Sequence, residues 1–473
     1  MIKPSYGDQD PIAALATVLG ESALAIIRTS GAGTGRNLSS IGLVASVFSK
    51  PRSLAQAPGN SIVHGWIIDP VSKKKIDDVL VSVYRSPKSY TGEDGADITC
   101  HGGIAAVKAV MAVLKTAGFR DALPGEFTFR SFMNGKQDLT RAESVMEIVS
   151  AKTNSAREQA VRRLSGALEK EIGCIKKILV DVLAGAEIYL DYSEDEFDGS
   201  AEAEGKLPDR DLAESAAARL ANISQLWRYE RIYADGVLAV LAGRPNAGKS
   251  SLFNYLLREE RSIVAGTPGT TRDWIEAVIS IEDIPVRLAD TAGLRDIGAA
   301  DAGGEVERIG IERSFELLEK ADLVLYVVDG SEGMTSEDRV FLDSMREKPV
   351  IVIWNKCDIA APPPDWPADF PAVSAKTGEG IPALLRQTAE LFLDKKVPRD
   401  SSQTGPGTAR QKELVDAALA SVNEALALAD RGEPLDLIAP LFRTAVNCLG
   451  EITGEVTGAD ILETMFSRFC VGK

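Results

Sequence analysis

Residue types able to hold a phosphorylated nucleotide recur in a fixed order between Gly243 and Lys376. "GRPNAGKS", Gly243 to Ser250, follows an apolar strand pattern and opens a helical one. Backbone N–H groups and a helix N-terminus would then face the phosphates, Lys249 can reach the β- and γ-oxygens, and the Ser250 hydroxyl can hold Mg²⁺. "DTAG" ends the strand pattern "VRLAD", where Asp290 can hold Mg²⁺ through water while Gly293 offers its N–H to the γ-phosphate. Between them, "GTTRD" places Thr271 to complete the Mg²⁺ shell from a switch loop. In "NKCD" the Asp358 carboxylate can accept from guanine N1–H and the 2-amino group, a pair that adenine lacks, so the expected nucleotide is GTP. "SAK" adds a base-edge contact. The GTP contacts expected from these motifs are Asn246, Ala247, Gly248, Lys249, Ser250 and Ser251; Asp290, Thr291, Ala292 and Gly293; Asn355, Lys356 and Asp358; and Ser374, Ala375 and Lys376.

Where Ras-like GTPases carry a water-orienting glutamine after the DxxG glycine, this chain has Leu294, which cannot do that work. Two other residues are candidates to assist the transition state. Asn246 carries a side-chain carbonyl inside the phosphate loop that could ligate a monovalent cation in place of an arginine finger. Glu307 follows the glycine-rich stretch "DIGAADAGG" and could reach a water, although spacing alone favours an ordinary exposed helix carboxylate.

The elements that must position these residues are legible from pattern. The strands "GVLAVLAG", "VRLAD", "ADLVLYVVD" and "PVIVIWNK" alternate with helical patterns, which implies a parallel sheet covered on both faces. Upstream, "SALAIIRTS" and "DDVLVSVYRS" read as strands and "GIAAVKAVMAVLKTAGF" as a helix, an α+β arrangement. From about 139 to 190 no proline occurs, and Leu164, Leu168, Ile172, Ile175, Leu179 and Val182 recur at helical steps, with Thr140 and Glu143 spaced as a capping box. The acidic "SEDEFDGSAEAEG" reads as a solvated loop, and "VPRDSSQTGPGTA" as a linker before a last helical segment. The expected fold is multidomain α/β: an α+β domain over 1–120, a helical domain in two parts, 121–235 and 395–473, and a Ras-like P-loop domain over 236–394 inserted between them.

Composition narrows the setting. At 473 residues the chain exceeds what one core usually supports. No apolar run is long enough for a bilayer, and the start has neither a signal-peptide core nor an Arg-rich presequence, so the expected compartment is the cytoplasm. Five cysteines without CxxC pairing and only two histidines, His64 and His101, argue against a zinc or disulfide framework. A net charge of -16 argues against broad nucleic-acid binding, so an RNA substrate would need a local patch or a basic partner. Near the last residue, "FCVGK" holds Cys470 four residues from Lys473. The ending fits a prenylation box badly; a small buried hydrophobe and a tail that enters an active site are the other readings.

Taken together, "GRPNAGKSSL", "GTTRD", "DTAGLR", "EVERIGIERS", "PGEFTFRSFMNGKQDL" and "FCVGK" resemble the MnmE (TrmE) family of tRNA-modifying GTPases across essentially the whole chain. The resemblance implies an N-terminal folate-binding domain that dimerises, a central helical domain and an inserted G domain that pairs across the homodimer in a K⁺-dependent way. It places Asn246, Ala265, Thr267 and Thr270 around K⁺, adds Ala265, Gly266, Thr267, Pro268, Gly269 and Thr270 to the GTP contacts, and gives Glu307 a catalytic role. It places a tetrahydrofolate derivative, 5-formyl or methylene, on Arg28, Asp97, Lys136 and Lys473, with Cys470 close by as a candidate nucleophile. Asp97 stands where the family has a glutamate, and "GESA", Gly20 to Ala23, departs from its glycine-rich arginine sequence. The implied reaction adds a carboxymethylaminomethyl or aminomethyl group at C5 of the tRNA wobble uridine with an FAD-containing partner, MnmG (GidA), in a heterotetramer or larger complex. A ribosome-assembly GTPase and a GTP-switched scaffold are the competing readings. The first would want a KH-like GxxG segment or basic tail, and the second would not need Arg28, Lys136 or Lys473.

Overall fold

The computed structural model describes residues 6, 10–33, 39–191, 207–259, 276–290, 316–392 and 404–472. By contacts the chain divides into two compact units, Met1–Met146 with Leu164–Ala218 and Glu413–Lys473, and Glu147–Arg163 with Arg219–Lys412.

In the first unit, β1 (Ile12–Leu15), β2 (Ser22–Ser30), β3 (Ser61–Ile68), β4 (Lys75–Tyr84), β5 (Gly95–Gly102) and β6 (Arg120–Asp121) form a sheet of order β3-β4-β5-β2-β1-β6. Alternation sets its faces: Asp77, Val79, Val81 and Val83 of β4 point inward, as period two requires. The inward valines pack with Ile41 and Val44 of α1 (Ser40–Ser46), Leu54 of α2 (Pro51–Ala55) and Val110 and Leu114 of α3 (Ile104–Ala117). On the same strands Leu24, Ile62 and Leu80 are exposed. The β2–β5 register sets Arg28 directly opposite Asp97.

The "PGEFTFR" stretch becomes α4 (Glu126–Met133). Its Glu126 is fully buried and accepts from both Arg120 Nη atoms, from Arg130 Nη2 and from the Leu123 N–H at 2.6–2.8 Å. A buried carboxylate survives only with such partners, and removing one would cost about 3–5 kcal/mol. α5 (Leu139–Ser150) starts differently from the capping box expected at Thr140. The cap is Asp138, whose Oδ1 accepts from the N–H groups of Thr140 and Arg141 and from the Thr140 hydroxyl, so Thr140 lies inside the helix and is buried.

The helical run expected from 139 to 190 is broken into α5, α6 (Asn154–Leu164) and α7 (Ala167–Asp191). Gly166 makes the second break at φ +90°, a left-handed geometry that ends helices. Within α7, Leu168, Ile172, Ile175, Leu179 and Val182 are buried, as their spacing predicts, whereas Leu164 ends the preceding helix. After α8 (Arg210–Asp235), the helical elements resume at α12 (Ala409–Asp430), α13 (Leu435–Thr453) and α14 (Ala459–Phe466). α13 packs on α7 through Ile438, Phe442, Ala445, Leu449 and Ile452, again at steps of three and four.

In the second unit, β7 (Val237–Ala242), β8 (Glu276–Ile281), β9 (Ile284–Asp290), β10 (Leu323–Asp329) and β11 (Val350–Asn355) run in the order β11-β10-β7-β9-β8. The pairs β11–β10, β10–β7 and β7–β9 are parallel, while β8 is an antiparallel edge strand. Successive β7 residues feed opposite cores. Val237, Ala239 and Leu241 face α9 (Lys249–Glu259) and α11 (Ile381–Phe392), while Leu238, Val240 and Ala242 join Tyr326, Trp354 and Phe341 of α10 (Ser336–Ser344). This two-sided burial is why the strands read as unbroken apolar runs. The β8–β9 turn holds Glu282 and Asp283 at φ +49° and +66°, and the Asp283 carboxylate accepts the N–H groups of Asn154 and Ser155 at the start of α6. At the other end of α6, Arg163 is 2% exposed and paired with Glu147 and Glu230, each at 2.6 Å.

Candidate functional site

The phosphate loop links β7 to α9, and its glycines stand where no side chain fits. Gly243 has φ +139° with a Cβ that would fall 2.3 Å from the Val327 carbonyl oxygen; Gly248 has φ +95° with one 2.1 Å from Asn355 Nδ2. The Lys249 ammonium donates to the carbonyls of Gly243 and Arg244 at 2.9 and 2.8 Å, so the loop's own backbone fixes it. Asn246 is exposed at the bend with φ +64°, a left-handed conformation unusual outside glycine. Ser250 Oγ donates to Asp290 Oδ2 at 2.9 Å across α9 and β9, which brings together the hydroxyl and the carboxylate expected on either side of Mg²⁺.

The base-recognition motifs are tied to that loop. Asn355 is 1% exposed; its Nδ2 donates to the Ala247 carbonyl at 2.8 Å and its Oδ1 accepts from the Ala375 N–H at 3.2 Å. Ser374, fully buried, accepts from the N–H groups of Lys376 and Thr377 through its Oγ. Lys356, at φ +64°, donates to Asp329 Oδ2 at 2.6 Å, and Asp358 is exposed. Lys356 is the first side-chain donor drawing the Asp329 carboxyl below the usual range, against the opposing effect of its burial. Thr271, Ala265, Gly266, Thr267, Pro268, Gly269, Thr270, Thr291, Ala292, Gly293, Leu294 and Glu307 lie outside the described residues.

A second cluster forms in the first unit. Arg28 Nε donates to Asp97 Oδ1 at 3.1 Å and Nη2 to Oδ2 at 3.5 Å, a fork held by the β2–β5 register. The same guanidinium lies 5.9 Å from the Tyr90 ring and 6.0 Å from Phe127, and its Nη1 donates to the Gly472 carbonyl at 3.3 Å. The "FCVGK" segment is seated there by close backbone contacts. Gly125 N–H donates to the Cys470 carbonyl, and a Cβ on Gly125 would meet the Phe466 carbonyl oxygen at 2.7 Å. Gly472, at φ +92°, lies against Leu15 in the same manner. Cys470 is exposed, so the reading of it as a buried hydrophobe fails; that description fits Cys100, where burial pushes the thiol up to about 11. Lys136 is exposed, its ammonium donates to the Pro87 carbonyl at 2.8 Å, and its stem passes over Gly92. Lys473 lies outside the described residues.

Sequence reasoning missed Tyr90 and Phe127 around Arg28, and Asp329, Arg244 and Asp338 beside the nucleotide motifs. An acid ending a strand in "YVVDG" was the one signal available for Asp329. The others are set by contacts distant in sequence.

The model of the MnmE helical domain matches residues 139–470, and that of the GTP-binding protein TrmE N-terminus matches residues 11–136. The tRNA modification GTPase MnmE of Treponema denticola is 42% identical, with 99% of each chain covered. That of Borreliella afzelii is 40% identical over 98% of each chain, and that of Carboxydothermus hydrogenoformans 39% identical over 98% of this chain and 100% of that one. No described helix is long and apolar enough to cross a membrane. With both ends of the chain matched, a phosphate loop locked to its base-recognition motifs, and relatives aligned over nearly their full length, the chain belongs to the MnmE family of tRNA modification GTPases and is a GTPase acting in tRNA modification.

Proposed function

We propose that this chain hydrolyses GTP in a K⁺-activated manner and, with the FAD-containing partner MnmG, adds a carboxymethylaminomethyl or aminomethyl group at C5 of the tRNA wobble uridine. A tetrahydrofolate derivative supplies the one-carbon unit. The observation that supports this most is the Arg28 cluster: a guanidinium 5.9 and 6.0 Å from two aromatic rings, forked onto Asp97 and touching the seated "FCVGK" segment. Its donor set suits a pterin and its acidic tail, with rings to stack on, a carboxylate for ring N–H groups, and Arg28, Lys136 and Lys473 for the tail. Cys470 is exposed beside it and is read first as part of the seat, with nucleophilic attack as its second role.

At the nucleotide site, Ser250 and Thr271 hold Mg²⁺, with Asp290 behind Ser250. Asn246 ligates K⁺ together with Ala265, Thr267 and Thr270, and Glu307 orients the attacking water in place of the missing glutamine. The protein works as a cytoplasmic homodimer of folate-binding, helical and inserted G domains, and MnmG supplies the basic surface that a -16 chain lacks for tRNA.

Mass spectrometry of tRNA nucleosides from cells lacking the gene tests this reading. C5-aminomethyl-type uridines should vanish, return with the intact chain, and fail to return with Arg28→Ala. An unchanged profile removes the C5-uridine assignment; full restoration by Arg28→Ala removes the folate site.

A further inference from the structure

The segment from Asp329 to Asp338, "DGSEGMTSED", belongs to none of the nucleotide motifs, yet it holds one of them at each end. At the base side, Lys356 of "NKCD" donates to Asp329 Oδ2 at 2.6 Å, and the Gly330 N–H donates to the Asn355 carbonyl at 2.9 Å. At the phosphate side, the Arg244 guanidinium points out of the phosphate loop. Nε donates to Asp338 Oδ1 at 3.2 Å, Nη1 to Glu332 at 2.7 Å and Nη2 to the Gly333 carbonyl at 3.1 Å.

Asp338 is a fixed post. It is fully buried and also accepts from the Tyr326 hydroxyl at 2.7 Å and from the Thr335 N–H and hydroxyl at 2.8 and 2.9 Å; the Thr335 N–H bond, together with the Asp338 N–H donating to Thr335 Oγ1 at 3.4 Å, closes the capping box of α10. Arg244 is fixed to that post by its side chain, while its backbone carbonyl accepts the Lys249 ammonium at 2.8 Å.

We propose that the segment is a strap that sets the two halves of the nucleotide site relative to each other. Arg244 is a positioning residue acting through Lys249 on the phosphates, and Asp329 is one acting through Lys356 on the base. Arg244 also neutralises buried Asp338, so a test must separate positioning from folding. The separating variable is the β-phosphate, which Lys249 meets and GMP lacks.

The experiment measures equilibrium binding of GDP and GMP to the full chain carrying Arg244→Lys, which keeps the charge beside Asp338 and loses the three-way fork. GDP affinity should fall roughly tenfold, the weight of one or two hydrogen bonds, with GMP changed less than about twofold. Equal losses for GDP and GMP, or none, overturn the role given to Arg244. Should that variant fail to fold, Glu332→Ala decides. Glu332 is 61% exposed, so its removal spares the core, and GDP affinity should fall by about two- to threefold, the low end for a partly exposed pair. Unchanged GDP affinity there overturns the proposal. Asp329→Asn should weaken GDP and GMP together; a loss confined to GDP removes the base-side half.

Discussion

Around Lys249 the partners are carbonyls five and six residues away in the same loop, whereas around Arg28 they are a carboxylate and a carbonyl 69 and 444 residues away. Both regions grip a cation, but a site made from one loop's backbone needs glycines and a lysine at set intervals, and those intervals survive as a motif. A site made from side chains that a fold brings together leaves no interval to read. The nucleotide site was therefore legible from spacing and chemistry, and the Arg28 cluster only from family resemblance. The comparison implies that damage to one region should leave the other's binding intact.

The largest expected effect is at Asp358. Replacing it with Asn removes two charge-assisted acceptors for guanine, each worth about 1.5–3 kcal/mol, so GTP affinity should fall by roughly 10²–10⁴-fold. Binding of tetrahydrofolate, proposed above for the Arg28 cluster, should not change. Titration of both ligands on one preparation of the variant checks this, and a joint loss would mean that the two regions are not separate.

Matched glycine substitutions sharpen the contrast. Gly248→Ala forces a Cβ against Asn355 Nδ2 at φ +95°, and Gly125→Ala forces one against the Phe466 carbonyl oxygen and the Phe469 side chain at φ +66°. The left-handed backbone alone costs roughly 1–2 kcal/mol in each. The first should abolish measurable GTP turnover while the "FCVGK" segment stays seated. The second should release that segment, raising its cleavage by carboxypeptidase several-fold and weakening folate binding while GTP turnover holds. Equal resistance of Gly125→Ala and the unaltered chain to the protease would show that the seat does not depend on this contact.

The same division governs which expectations failed. Strands came through because period two and apolar runs are local, and β2, β4, β7, β9, β10 and β11 lie where the pattern put them. The region from 139 to 190 is helical as its pattern says, but its two breaks were not read. Gly166 sits within an otherwise periodic stretch, and what makes glycine necessary there, a φ of +90° and the Arg141 guanidinium that a Cβ would strike at 2.3 Å, is visible only in the fold. Thr140 has the spacing of a cap, but Asp138 has the stronger acceptor two residues earlier and takes the N–H groups first. The strap was illegible for a related reason: Arg244 lies inside a recognised motif, but its partners Glu332 and Asp338 lie 88 and 94 residues on.

The smallest effect follows from where the histidines lie. The chain has two, His64 and His101, both on the first unit's sheet. His101 Nδ1 lies 2.7 Å from Asp77 Oδ1, and its backbone N–H donates to Oδ2 at 2.9 Å. The Asp77 hydrogen bond first, then its charge and that of Asp78, raise the His101 pKa above the usual value of about 6.5. A raised pKa means the folded state holds the proton more tightly than the unfolded one. The stabilisation is therefore complete below the ordinary histidine pKa and is lost as pH rises through the folded value. In the second unit, Asp338 and Asp329 have lowered pKa values, so their contribution is complete above the ordinary carboxylate range and is lost only as pH falls below about 4. From pH 6 to 8, hydrogen exchange of the β5 amides near His101, corrected for intrinsic rate, should accelerate slightly while that of β10 stays level. His101→Gln should flatten the β5 response. A β10 response of equal size would mean that the two sheets open together, and the separation drawn from their chemistry would not extend to their stability.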